Sequence, residues 1–171
     1  MDASSTQRIT NGLRQAMQAE HEGHHFYRMA AETTQDPKGR DVFGQLAGEE
    51  MEHFHFLQRQ LESVTQTGQI DPAVQLGAPR NLAGPHPIFT PEIRQRIGLA
   101  HYEMTALSIA IQLELSAVNF YAGEAQAASL PGVKAFYEKL TAWERGHLSA
   151  LQRQADELKE DYWTQAHFAP F

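Results

Sequence analysis

VFGQLAGEEMEHFHFL, residues 42–57, and FYEKLTAWERGHLSAL, residues 136–151, carry one pattern in two places. Each sets a Glu three positions before a His, as Glu50/His53 and Glu144/His147. Side chains three apart on a helix project from neighbouring points of one face. Leu46 and Leu57, with their counterparts Leu140 and Leu151, fall on that same face, so the acids and imidazoles share the apolar side. An acid and a base facing a core need a partner there, because a buried unpaired charge is costly.

The match extends outward from these stretches. Residues 12–60 align without a gap on residues 106–154, with 15 identities in 49 positions. The matched pairs include Leu13/Leu107, Glu20/Glu114, Phe26/Phe120, Tyr27/Tyr121 and Pro37/Pro131. A repeat of this length exceeds a solenoid unit and reads as two copies of one helical hairpin. The spacing predicts a first helix from about Ser5 to Thr34, with Ile9, Leu13, Ala16, Glu20, Tyr27 and Ala31 inward. Asp36-Pro37 supplies an N-cap and a proline at the first helical position, opening a second helix to about Val64. Its inward residues are Phe43, Leu46, Glu50, His53, Leu57 and Leu61. The second copy predicts a helix to about Ala128, a turn at Leu130-Pro131-Gly132, and a helix from Val133 toward Tyr162. Sustained alternation is missing, so the fold class is all-α.

Between the copies, about Gly68 to Pro91, prolines and glycines recur and no helical period survives. The expected plan is one domain: a hairpin over about 5–67, a linker over 68–90, a hairpin over about 91–165 and an apolar tail, 166–171, that docks or frays. The start of the third helix is open, since Gly98 can separate 91–97 from it. A long connection lets the second hairpin cross the bundle. It equally permits exchange of hairpins between two chains.

Composition narrows the function. Cysteine is absent, which removes disulfides, thiolate metal sites and cysteine nucleophiles. A net charge of −7 disfavours a general nucleic-acid binder. No apolar run approaches the roughly 20 residues of a membrane span. The N-terminal stretch has no basic-then-apolar pattern, so the expected location is cytoplasmic.

The chemistry lies in six residues: Glu20, Glu50 and His53 from one copy, Glu114, Glu144 and His147 from the other. Four carboxylates carry −4, and two divalent cations restore neutrality. Oxygen and nitrogen donors of this kind suit iron or manganese, with zinc as an alternative. Metals about 3.5–4 Å apart form a general catalytic arrangement. Tyr27 and Tyr121, seven residues after Glu20 and Glu114, either bond a ligand carboxylate or serve as core.

Four segments, AEHEGHHFYRMAAE (19–32), VFGQLAGEEMEHFHFL (42–57), LELSAVNFYAGEA (113–125) and FYEKLTAWERGHLSAL (136–151), resemble rubrerythrin-like members of the ferritin-like superfamily. The resemblance implies a ferritin-like four-helix bundle with a long crossover connection. It makes the six residues above the ligands of a di-iron site. Glu50 and Glu144 match its bridging carboxylates, and Tyr27 and Tyr121 match tyrosines near the metals. Rubrerythrins carry a further Glu one turn after the third-helix ligand; here that place is Ala117, and its mate is Gly23. The resulting six-ligand set is closer to that of bacterioferritins. Full-length rubrerythrins also have a cysteine-bearing rubredoxin domain, so electrons here are expected from a separate donor protein or from ferrous iron.

The implied function is a non-haem di-iron oxidoreductase acting on peroxide or dioxygen, as a homodimer whose hairpins pair in cis or by swapping. Two alternatives stay open: a ferroxidase or iron-storage role, and a manganese catalase-like activity. Metals that only hold the fold of an adapter are a further option. Met51 sits where bacterioferritins ligate haem, but a single Met does not support a haem here. His24 is assigned to packing or ligand support, and Trp143 to packing. His21, His25, His55, His86, His101 and His167 lack a histidine mate and are assigned to surface or linker roles.

Overall fold

The structure, a computed structural model, describes residues 3–78, 82–84 and 86–165. Four long helices form, α1 (Ala3–Thr33), α2 (Pro37–Thr67), α3 (His101–Ala127) and α4 (Pro131–Gln165). They pair as two hairpins, α1 with α2 and α3 with α4, which then pack on each other. The apolar tail, 166–171, lies outside the described residues. Among the described residues no helix is long and apolar enough to cross a membrane.

Two apolar clusters fill the bundle. One holds Tyr27, Phe43, Leu46, Leu107 and Leu151 and is closed by Ile88, Phe89, Ile93 and Ile97. The other holds Leu13, Leu57, Tyr121 and Leu140 and is closed by Val64, Leu76 and Val133. The second cluster contains the start of α1, the end of α2, the end of α3 and the start of α4. Thus α1 runs antiparallel to α3 and parallel to α4, while α2 runs parallel to α3. The chain must travel the length of the bundle between α2 and α3, as the long connection predicts. All six inward residues predicted for α1 are buried, as are those of α2 except Leu61, which is half-buried.

The repeat also explains how the crossover is held. Gln60 and Gln154 are repeat mates, and both are fully buried. Gln60 donates to the Asp71 carbonyl at 2.9 Å and accepts from the Asp71 N–H at 2.9 Å, fixing the start of the connection. Gln154 accepts from the N–H groups of Ile88 and Phe89 at 3.1 and 2.9 Å, fixing its end. Satisfying these backbone groups lets an irregular segment lie against an apolar core.

Asp36 performs the expected capping and more. Its carboxylate accepts from Gly39 N at 2.8 Å at the head of α2. It also accepts from the backbone and hydroxyl of Thr90, at 3.1 and 2.6 Å, at the head of the next helical segment. Gly39 is required by space: a Cβ there would stand 2.6 Å from the Phe89 ring. Residues 91–99 form a separate 3-10 helix, resolving the open start of the third helix. It breaks before α3, with Arg96 out of helical geometry. Buried Glu103 anchors this corner, accepting from Thr34 Oγ1, Gln35 N and Arg96.

Asp36→Ala removes a cap and leaves the Thr90 N–H without its acceptor. A loss of about 2 kcal/mol in unfolding free energy is expected, read by chemical denaturation.

Candidate metal centre

The six predicted residues converge at mid-height, between the two apolar clusters. Each is at most 6% exposed. Carboxylate and imidazole atoms form two adjoining groups, one of Glu20, Glu50 and His53, the other of Glu50, Glu114, Glu144 and His147. Both histidines turn Nδ1 inward. Nδ1 of His53 lies 3.0 Å from Glu144 Oε1 and 3.3 Å from Glu20 Oε2. Nδ1 of His147 lies 3.2 Å from Glu144 Oε2, 3.6 Å from Glu114 and 3.8 Å from Glu50. The rings stack nearly parallel, with centroids 6.2 Å apart. Glu144 thus reaches both imidazoles, and Glu50 belongs to both groups. These are the two acids expected to bridge.

The tyrosines cross between hairpins. Tyr27 of α1 donates to Glu114 of α3, and Tyr121 of α3 donates to Glu20 of α1. Both phenols are buried, so the open choice between core and ligand support resolves to both. Burial, then the facing Glu114 and Glu20 respectively, holds each phenol well above its ordinary value.

The donor set fits metal ions. Glu50 Oε1, both carboxylate oxygens of Glu144 and Nδ1 of His147 are buried without a hydrogen bond among the described residues. Such orphaned acceptors are costly unless a cation or proton sits among them. Buried Glu and His groups of this chain can therefore bind metal ions, and oxygen with imidazole nitrogen suits iron, manganese or zinc.

Without metal, protons must compensate. Burial alone would lower His53, but the Glu144 and Glu20 carboxylates push it up to about 10. Burial would lower His147 too, and its contacts with Glu114, Glu144 and Glu49 hold it well above its usual value. Burial, then the negative charge of Glu20, raises Glu50 well above the carboxylate range. Glu114 is raised by burial and pulled back by His147, settling at about 7. Burial acts upward on Glu144 as well, but the two imidazolium groups hold it far below its ordinary value.

Sequence reasoning missed one member. Glu49 is 3% exposed and accepts from Nε2 of His147 at 2.8 Å and from Trp143 Nε1 at 3.1 Å. Burial pushes its carboxyl up, but His147 and Trp143 outweigh that and leave it below its ordinary value. Five buried acids, not four, surround the centre. The available signal was a break in the repeat, since Glu49 is matched by Trp143. Trp143 is buried packing as expected, and it also carries this hydrogen bond. His24 bonds the Ala47 carbonyl at 2.8 Å, a packing role. His21, His25, His55 and His101 stay on the exterior, and His86 pairs with Glu157 in the linker. His167 lies outside the described residues.

A groove of about 360 Å³ opens between α1 and α3 onto Glu20, Glu50, Glu114, Tyr27 and Tyr121. Its walls are Ala19, Gly23, Leu113, Ala117 and Phe120. The repeat mates Gly23 and Ala117 keep it open: a Cβ on Gly23 would stand 3.3 Å from Glu50 Oε2. Where a rubrerythrin would place its further Glu, this chain has access.

Metal loading must expel the protons that the imidazoles hold in the metal-free protein. With His53 at about 10 and His147 also raised, both are charged at neutral pH. Zinc added to metal-free protein in weak buffer is expected to release protons. Its apparent affinity should rise with pH between 6 and 8, about tenfold per unit for each imidazole discharged. Calorimetry in buffers of different ionisation enthalpy measures both.

Comparison with curated proteins and with solved structures returns no match. A family model does match: the ferritin-like domain, over residues 10–157. That span takes in both hairpins and all six residues of the centre, and the chain belongs to the ferritin-like domain family.

Proposed function

We propose that this chain is a non-haem di-iron oxidoreductase of the rubrerythrin type, which reduces peroxide or dioxygen with electrons from a separate donor. The observation that carries the reading is the set of orphaned donor atoms, three carboxylate oxygens and one imidazole nitrogen, buried beside an open groove onto which Glu50 faces. Glu20, Glu50 and His53 would hold one ion, and Glu114, Glu144 and His147 the other, with Glu50 and Glu144 shared. A reduced iron pair there would supply the electrons. The chain itself does the rest. Its groove admits a small oxidant between Leu113 and Phe120. Tyr27 and Tyr121 fix Glu114 and Glu20 and keep a proton on each phenolic oxygen within reach of the groove floor. Glu49 orients His147.

A ferroxidase reading is favoured by Glu22, an exposed carboxylate lining the same groove, which suits entry of a cation. Anaerobic loading with ferrous iron, followed by peroxide or oxygen, tests both readings. The oxidoreductase should develop ferric absorption with at least one oxidant, complete at two irons per chain. No change with either overturns it, and continued oxidation of added iron well beyond two per chain favours the ferroxidase. Ala117→Leu fills the groove from a wall position. It should slow the oxidant reaction at least tenfold while bound metal stays unchanged. The proposal includes a homodimer, supported by the exposed apolar side chains Met29, Leu99, Ile109 and Leu115. Light scattering at twice the chain mass is the expected result.

A further inference from the structure

The repeat that builds the centre breaks at one place that touches it. The residue before the shared Glu is Glu49 in one copy and Trp143 in the other. Each mate meets the imidazole of the opposite hairpin. Glu49, on α2, accepts from Nε2 of His147, on α4, at 2.8 Å. Trp143, on α4, lies edge-on to the His53 ring of α2, with centroids 4.9 Å apart and planes at 87°. Nε2 of His53 has no hydrogen-bond partner among the described residues. Trp143 Nε1 instead donates to Glu49 at 3.1 Å, so the indole that leaves His53 unsupported also fixes the carboxylate behind His147.

A carboxylate behind a ligand imidazole fixes the tautomer with the proton on the rear nitrogen. It leaves the front nitrogen bare and makes it a stronger donor. Among the described residues His147 has this support and His53 does not. The donor groups differ in the same sense: His147 belongs to a group of four mutually close residues, and His53 to a group of three.

We propose that the two metal positions are unequal, and that the position at Glu114, Glu144 and His147 fills first and more tightly because Glu49 stands behind His147. The position at Glu20, Glu50 and His53 is the exchangeable one. The inference rests on the di-metal reading above. Glu49 is a positioning residue here, since it touches His147 and acts through it.

Cobalt(II) titration of metal-free protein, followed by visible absorption and calorimetry, tests the inference without any turnover. The intact chain should bind two ions in resolved steps, the first at least tenfold tighter. Glu49→Gln keeps the size and an acceptor oxygen but removes the charge. It should weaken the first step ten- to a hundredfold, the range typical of lost ligand support, and bring the steps together. His147→Ala should abolish the tight step, and His53→Ala should leave it. That pair decides the order of filling even if Glu49→Gln does not fold. Two equal steps in the intact chain, an unchanged first step in folded Glu49→Gln, or a tight step that survives His147→Ala but not His53→Ala overturns the inference alone. No cobalt bound by the intact chain overturns the di-metal reading with it.

Discussion

Like charges buried together are the constraint on which this structure depends. Five carboxylates, Glu20, Glu49, Glu50, Glu114 and Glu144, sit buried within one helical bundle. Left alone they would open it. Each neighbouring feature answers that repulsion. Two imidazoles point nitrogen inward, two phenols donate from the opposite hairpin, and an indole N–H donates to Glu49. The apolar clusters lie above and below, so the charged layer separates them. The helices are long because they must bury enough carbon on both sides of that layer to hold it closed.

Charge counting sharpens the chemistry. Four acids balance two divalent cations, and the fifth, Glu49, tips the balance negative. A negative surplus favours metals carrying more than two charges each, which would suit the proposed oxidoreductase. Because Glu49 stands behind one imidazole only, the surplus falls unevenly across an otherwise two-fold arrangement.

The six converging residues and the hairpins were legible because duplication repeats whatever is under strict geometric demand. Glu20, Tyr27, Glu50 and His53 each have an identical partner at a constant offset, so periodicity and self-comparison point to the same residues. Glu49 was not legible by that route, since its role lies in differing from its mate Trp143. The groove was hidden for a related reason. It is made by the smallness of Gly23 and Ala117, and the lack of a side chain leaves no pattern. The 3-10 turn at 91–99 depends on packing of Ile93 and Ile97 under the end of the connection, a contact between distant segments that local spacing does not encode.

The connection between the hairpins has a consequence for how the protein is made. The first hairpin carries Glu20, Glu50 and His53, and the rest of the donor set comes later in the chain. A ribosome releases the first half, with Glu20, Glu50 and His53, before the residues that face them exist. Gln60 can hold the start of the crossover at once, but the end waits for Gln154, which is synthesised after His147. Closure of the connection therefore comes only after all six residues of the centre are present. On the di-metal reading, metal capture at full strength would belong to the last docking event of biosynthesis, and the nascent chain would offer an ion only a half-built site.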